Sequence, residues 1–269
     1  MTADRSDWFA GGIHDVDGVL VDSPHEVAWR EALHELMEGD WSDIRDQTTW
    51  SPDAFTPQVY QEVLSGKPRS AGARAALSHF RVPDAERRTA EYAERKQAGL
   101  IALIDAGRFH AYPDALRFVL AVRAAGIRIA AASSSKNAKL FLSRIRLDTF
   151  VAEQGLDDAG IEPGETLLDA FDVDVSGRDF AHGKPHPEIF LTAADELGLP
   201  PGRCFVVEDA VSGIQAAKAG GMAGLGVARQ DDAALLAGAD ADLVVSSLDD
   251  VDLGRLGEGR LVARAHQRG

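Results

Sequence analysis

The sequence CFVVEDAVSGIQAAKAGG, residues 204–221, places an apolar run of strand length before two acidic residues and a segment of helical spacing. A short, continuous apolar run predicts a strand buried on both faces, and Gly220 and Gly221 are typical of the end of a helix. The same alternation recurs from Tyr112 onward. The predicted strands lie in IRIAAAS (127–133), FDVDV (171–175), CFVVE (204–208), GLGV (224–227) and DLVV (242–245). Predicted helices cover 113–125, 137–146, 187–197 and 210–219.

This alternation predicts an α/β fold with a Rossmann-like parallel sheet and right-handed crossovers. Ligands of such sheets bind at the carboxyl ends of the strands, so we expect the chemistry just after each apolar run. A first strand is predicted near Gly12 to Asp15. We expect the acidic stretch 150–168 to be irregular and the polar tail beyond Arg255 to be loose.

Residues 25–110 break the alternation, because they contain several helical stretches and no convincing strand. We therefore expect an inserted α-helical cap domain at 25–110, with the core domain formed by 1–24 and 111–269. Two thin connections between such domains favour hinge motion.

Composition excludes several classes of function. The chain of 269 residues has 28 Lys plus Arg against 43 Asp plus Glu, for a net charge of −15, which disfavours nucleic acid or an anionic membrane as a partner. The single cysteine, Cys204, is expected to be a buried, inert thiol. No segment has the pattern of a membrane span or signal peptide. We expect a cytoplasmic monomer that acts on a small molecule.

The segment His14 to Ser23, HDVDGVLVDS, brings two carboxylates to the end of the first predicted strand. Asp15 and Asp17 can project in the same direction because extended residues alternate sides. Two close carboxylates repel, so a cation or a proton must compensate them. One can then act as a nucleophile and the other as a general acid and base. The alternative is a loop of acidic residues that only caps a helix or lies in solvent.

Two further polar clusters follow predicted strands. Ser133, Ser135, Lys136 and Asn137 lie at a strand-to-helix junction, where hydroxyls and N–H groups can hold phosphate oxygens, although ordinary helix capping explains one serine. Lys184 lies in the proline-stiffened loop GKPHP, where the alternative is a solvated lysine. Only 6 of the 28 basic residues are lysines, and Lys136 and Lys184 both follow predicted strand ends.

The pair Glu208 and Asp209 ends the run CFVV. Together with Asp15 these residues make an oxygen-rich site suited to Mg²⁺. Helix capping by Asp209 is the alternative.

These four motifs, in this order, resemble the haloacid dehalogenase superfamily over nearly the whole chain. The resemblance implies that Asp15 is the nucleophile that becomes an aspartyl phosphate and that Asp17 is the general acid and base. It implies that Ser133 and Lys184 hold the phosphoryl group. It also implies that Asp15, the Asp17 carbonyl and Asp209 bind Mg²⁺, with Glu208 in or beside that shell.

The helical insertion resembles the small cap of this superfamily, and the chain is most similar to its β-phosphoglucomutases. His25 is similar to their hinge histidine, and Gly66 to Arg69 to a loop that ends in a phosphate-binding arginine. Lys96 is similar to a substrate-binding lysine of the cap. The resemblance implies that Ser135, Lys136 and Asn137 help to hold a second phosphate.

The expected substrate is a small phosphorylated sugar, β-glucose 1-phosphate, which is converted to glucose 6-phosphate through a bisphosphate intermediate. A phosphatase that releases inorganic phosphate is the alternative, because a mutase must hold a second phosphate and a phosphatase need not. A weakly catalytic phosphate-binding protein is a rival of another class, against which the complete catalytic set argues. The sequence departs from the resemblance at His14, where an apolar or aromatic residue is usual, and in the additional segment 151–169.

Overall fold

The computed structural model describes residues 8–64, 67–156, 160–230 and 232–265. The chain divides into two compact units, which we call the core unit (residues up to 23 and from 110) and the helical unit (residues 24–109). None of the described helices is both long enough and apolar enough to cross a membrane.

The core unit is built on a six-stranded sheet. Its strands are β1 Gly11–His14, β4 Arg128–Ala131, β5 Val173–Asp174, β6 Cys204–Glu208, β7 Ala223–Val227 and β8 Leu243–Val245. Neighbouring strands all run parallel, in the order β5-β4-β1-β6-β7-β8. The predicted α/β fold with a parallel sheet is therefore confirmed.

Helices follow the strands of the core unit. They are α5 Pro113–Ala124, α6 Ala138–Arg144, α7 Leu147–Gln154, α8 Glu188–Glu196, α9 Val211–Ala219, α10 Ala233–Gly238 and α11 Leu253–Leu256. Four of them, α5, α6, α8 and α9, form in the segments predicted to be helical. Every residue of β1 and β6 is buried, as expected for central strands covered on both faces.

The double glycine of β1 has a packing reason. A Cβ added at Gly12 would lie 2.6 Å from Cζ of Phe205, and one at Gly11 would lie 2.9 Å from Sγ of Cys204. Small residues in β1 therefore let the side chains of β6 lie against its backbone. Cys204 is buried and its pKa is raised to about 11 by burial, as expected for an inert thiol.

The helical unit packs α1 His25–Glu38, α3 Arg69–His79 and α4 Ala85–Asp105 around an aromatic core. A shorter helix, α2 Pro57–Val59, continues into a π-helical turn at Tyr60–Leu64. The Tyr92 hydroxyl donates to the Trp29 carbonyl over 2.9 Å, and their rings meet edge to face at 5.0 Å. This buried pair joins α4 to α1.

Three features differ from the sequence predictions. A two-stranded antiparallel ladder pairs β2 Val21–Asp22 with β3 His110–Ala111, and strands of two residues are too short to leave a periodic pattern. The helix α7 occupies the start of the stretch predicted to be irregular.

The tail prediction is wrong as far as residue 265. Val251 and Ala263 form an antiparallel bridge, and the Arg264 amide donates to the Asp250 carbonyl over 2.6 Å. Backbone pairing thus ties this polar segment to the core unit.

Candidate active site

The carboxyl ends of three adjacent strands bring the predicted motifs of the core unit together. The Asp15 amide donates to the Val207 carbonyl over 3.0 Å, and the Ala132 amide donates to the His14 carbonyl over 2.8 Å. The residues that follow β4, β1 and β6 therefore lie side by side at one edge of the sheet. Asp15 and Ser133 are both buried there.

Lys184 joins two of these strand ends. Its Nζ lies 2.6 Å from Oδ1 of Asp15 and 2.5 Å from Oε1 of Glu208. The ammonium also lies 4.9 Å from the centre of the Phe190 ring. With only 12% of its side chain exposed, Lys184 is a largely buried cation held by two carboxylates.

The electrostatics of this edge are dominated by burial and by an excess of negative charge. Burial raises the pKa of Asp15 to about 7, partly opposed by the Lys184 charge and reinforced by Glu208. Burial, with the charges of Glu208 and Asp15, also raises the pKa of Asp209 well above its usual range. Burial lowers the pKa of Lys184, but Asp15 and Glu208 outweigh it and raise this pKa overall.

The acidic residues fit a hard divalent cation in charge and in donor type. One ammonium cannot neutralise this group of carboxylates, three of which belong to Asp15, Glu208 and Asp209. Carboxylate oxygen is the donor that Mg²⁺ prefers. Asp17 lies close enough to Asp15 for its charge to raise the Asp15 pKa further.

Within the described residues, these carboxylates do not offer a group of three side-chain ligand atoms within 4.8 Å of one another. Ligands of one Mg²⁺ lie at most about 4.2 Å apart, so no three of these side chains share an ion in this geometry. Glu208 accepts hydrogen bonds from the amides of Asp209 and Ala210, both at 3.1 Å, besides its contact with Lys184. These contacts suit Glu208 to positioning Lys184 and Asp209.

Two glycines make room for the acidic pair. A Cβ at Gly213 would lie 1.9 Å from Cδ of Glu208, and a Cβ at Gly18 would lie 1.9 Å from Oδ2 of Asp209. Gly18 also has a φ of +83°, which L side chains rarely adopt. The sequence indicated the turn at Gly18, whereas no local pattern marks Gly213 as a neighbour of Glu208.

The segment after β4 is ordered by its own hydroxyl groups. Ser133 Oγ accepts from the Ser135 amide over 3.1 Å, and Ser135 Oγ accepts from the Asn137 amide over 3.3 Å. Ser133 and Asn137 are buried, whereas Lys136 is exposed. Lys136 Nζ instead lies 2.5 Å from Oδ1 of Asp179 and donates to the Gly177 carbonyl over 2.8 Å.

The predicted substrate-binding residue Lys96 and the predicted hinge histidine His25 meet inside the helical unit. Lys96 Nζ lies 2.9 Å from Nδ1 of His25 and 5.0 Å from the centre of the Trp29 ring. Lys96 is buried, with 4% exposure. Arg69 is exposed at the first residue of α3, and Gly66 of the same predicted loop lies outside the described residues.

Sequence reasoning missed a buried ion pair that holds the turn after Asp17. Arg229 Nη1 donates to Oδ2 of Asp114 over 2.8 Å, and its Nη2 donates to the Val19 carbonyl over 3.0 Å. Its Nε also donates to the Gly18 carbonyl over 3.4 Å. The sequence did contain a signal for this residue. Arg229 lies soon after the predicted strand 224–227, just as Lys136 and Lys184 follow predicted strands.

His14 is buried among the rings of Phe118, Phe171 and Phe205. Neither ring nitrogen has a hydrogen-bond partner among the described residues, and burial lowers the pKa of His14 to about 3. A neutral imidazole thus takes the place of the aromatic or apolar residue that the resemblance led us to expect.

The comparisons with known proteins agree with this fold. The family model of haloacid dehalogenase-like hydrolases matches residues 13–221, so the chain belongs to that family. It is an enzyme of the phosphomutase or phosphatase type.

Among curated proteins, the chain is similar to a β-phosphoglucomutase of Mycobacterium bovis, with 32% identity over 252 residues that cover 88% of each protein. It is 29% identical to the β-phosphoglucomutase of Bacillus subtilis, over 91% of this chain and 93% of that protein. Among solved structures, a β-phosphoglucomutase from Pyrococcus matches with a TM-score of 0.65 and 31% identity, over 91% of this chain and 96% of that one.

Proposed function

We propose that the protein is a Mg²⁺-dependent phosphomutase that converts β-glucose 1-phosphate to glucose 6-phosphate through an aspartyl phosphate at Asp15. The observation that carries this proposal is the buried Asp15 carboxylate, held 2.6 Å from Lys184 at the carboxyl edge of the sheet. The similarity to β-phosphoglucomutases supports the choice of reaction.

In the first half of the reaction, a carboxylate oxygen of Asp15 attacks the phosphorus atom of the 1-phosphate of glucose 1,6-bisphosphate, the bond from phosphorus to the sugar oxygen breaks, and glucose 6-phosphate leaves. Asp17 gives its proton to the departing oxygen. In the second half, Asp17 takes the proton of the 6-hydroxyl of β-glucose 1-phosphate, whose oxygen attacks the phosphorus of the aspartyl phosphate, which frees Asp15 and forms the bisphosphate again. Ser133 and Lys184 hold the phosphoryl oxygens throughout.

Bound Mg²⁺ would neutralise charge on the phosphoryl group and on the nucleophile. Asp15, the Asp17 carbonyl and Asp209 are its proposed ligands. Glu208 contacts Lys184 and the amides of Asp209 and Ala210, and through these contacts it would position Lys184 and Asp209 beside the ion.

The second phosphate of a sugar bisphosphate needs cationic donors of its own. Lys96 offers an ammonium, whose Nζ lies 2.9 Å from Nδ1 of His25, and Arg69 offers a guanidinium in the same unit. We assign Lys96 and Arg69 to the sugar's distal phosphate, together with Ser135, Lys136 and Asn137. His25 would assist proton transfer or closure of the cap.

A phosphatase is the second candidate, and one observation favours it. Lys136, one of the proposed donors to the second phosphate, is engaged with Asp179 and the Gly177 carbonyl. A phosphatase has no use for a second phosphate site, so that ion pair could remain intact during its turnover.

³¹P NMR distinguishes the two reactions. The enzyme is incubated with Mg²⁺ and β-glucose 1-phosphate, primed with a trace of glucose 1,6-bisphosphate, and both products are followed. We expect glucose 6-phosphate without inorganic phosphate. Inorganic phosphate alone would contradict the mutase and establish a phosphatase.

A pair of lysine variants tests the assignment in the helical unit. Lys96→Ala should raise the KM for a bisphosphorylated sugar more than the KM for an aryl phosphate, whereas Lys139→Ala, an exposed lysine on α6, should change neither. Equal effects of Lys96→Ala on both substrates would reject its role at the second phosphate.

A further inference from the structure

A second cluster of metal-ligating side chains lies in the core unit, in the loop that leads into α8. His182 and His186 stand two residues before and two residues after Lys184, and Glu188 is the first residue of α8. Among the described residues, this is the one group of three His, Cys, Asp or Glu side chains whose ligand atoms all lie within 4.8 Å of one another.

The spacing of these atoms is close to that around a tetrahedral ion. Nδ1 of His182 lies 3.3 Å from Oε2 of Glu188, and Nδ1 of His186 lies 3.9 Å from the same oxygen. Ligands bound at about 2.1 Å with tetrahedral angles lie about 3.4 Å from one another. The two imidazole rings face each other at 4.4 Å, tilted by 31°. Nδ1 of His186 also accepts a hydrogen bond from the Glu188 amide over 3.3 Å, so an ion bound at this atom would replace that hydrogen bond.

The backbone already orients the carboxylate. The amide of Ala181 donates to Oε1 of Glu188 over 3.2 Å, and the amide of His182 donates to Oε2 over 3.0 Å. Pro185 and Pro187 restrict the chain on both sides of His186. Fixed ligands cost less conformational entropy on binding, and hydrogen bonds to a ligating carboxylate commonly orient it.

The ligand chemistry distinguishes this cluster from the acidic edge of the sheet. Two imidazoles and one carboxylate suit Zn²⁺ and similar transition ions, whereas Mg²⁺ prefers oxygen ligands. Both histidine side chains are exposed, so water can complete the coordination.

We propose that His182, His186 and Glu188 form a binding site for a divalent transition ion, with Zn²⁺ as its occupant. The site is separate from the residues assigned to phosphoryl transfer and does not depend on that assignment. An ion here ties together both ends of the segment that carries Lys184.

Calorimetric titration of the full, tag-free chain with Zn²⁺, in excess Mg²⁺ and after chelator treatment, tests the site. We expect one Zn²⁺ per chain in the wild type, with affinity at least about tenfold weaker in His182→Gln, His186→Gln and Glu188→Gln. His79→Gln, an exposed histidine on α3, is the matched control and should bind as the wild type does. Equal affinity in all variants, or Zn²⁺ binding abolished by Mg²⁺, would overturn the proposal.

Two further measurements guard against misfolded variants. Zn²⁺ should raise the Tm of the wild type and of His79→Gln more than the Tm of the three cluster variants, with the metal-free Tm checking their folding. X-ray absorption of the Zn²⁺-loaded wild type should show scattering from two imidazoles. A shell of oxygen atoms alone would reject these ligands.

Discussion

Lys184 and Lys136 look alike in the sequence and differ in the folded core unit. Each follows a predicted strand, yet 12% of the Lys184 side chain is exposed against 58% for Lys136. Lys184 contacts two buried carboxylates, whereas Lys136 contacts Asp179, whose side chain is 96% exposed. Because water screens exposed charges, a similar ion-pair distance implies a strong interaction at Lys184 and a weak one at Lys136.

The largest expected effect comes from the nucleophile that Lys184 contacts. Asp15→Asn should abolish Mg²⁺-dependent turnover, because a neutral amide cannot form the aspartyl phosphate. The measurement is turnover of β-glucose 1-phosphate, with trapping of the phosphoenzyme by rapid quench. Full turnover by this variant would contradict the mechanism.

Removal of the buried ammonium should be the next most damaging change. Lys184→Ala should lower kcat by about 10²–10³-fold, the range for loss of one positioned donor to a reacting group. Steady-state kinetics on an aryl phosphate measures the effect without the second phosphate. Lys139→Ala serves as the control. An equal loss of kcat in Lys184→Ala and Lys139→Ala would contradict a specific role for Lys184.

The stability of the metal-free protein should depend on pH through the acidic edge. Burial raises the folded-state pKa of Asp15 to about 7, so the folded state binds more protons than the unfolded state between about pH 4 and 7. The stability gained from protonation of folded Asp15 is present at low pH and is lost as pH rises through about 7. Without Mg²⁺, the Tm of the wild type should therefore fall as this stability is lost. The fall should be smaller in Asp15→Asn.

Addition of Mg²⁺ provides the control for the pH experiment. An ion bound to the ionised carboxylates should raise the Tm most above pH 7, where those carboxylates lack compensation. An identical pH dependence of Tm in wild type and Asp15→Asn would show that Asp15 does not carry it.

The smallest effect is expected at the exposed lysine. Lys136→Ala should leave kcat on an aryl phosphate and the Tm nearly unchanged, because an exposed ion pair contributes little stability. The KM for a bisphosphorylated sugar should rise if Lys136 leaves Asp179 for the second phosphate. A large loss of kcat on the aryl phosphate would place Lys136 in the catalytic centre and remove the contrast with Lys184.

Much of the core unit could be predicted because its signals are local. The run Cys204–Glu208 forms the strand that was expected, and Pro113–Ala124 forms the expected helix within one residue. The two-residue strands at Val21–Asp22 and His110–Ala111 could not be predicted, since their pairing joins segments far apart in sequence. Periodicity reports burial within a segment and carries no information about its partner.

The candidate site also has a part that could be predicted from the sequence and a part that could not. The sequence alone determined which residues follow the strands, including Asp15, Ser133 and Asp209, because the strand and turn patterns are written in neighbouring residues. Tertiary structure alone decided that Lys184 contacts Asp15 and Glu208, that Gly213 leaves space for Glu208, and that Arg229 holds the Gly18 and Val19 carbonyls. Lys184 and Asp15 are 169 positions apart, and their interaction depends on burial and distance, which exist only once the sheet has formed.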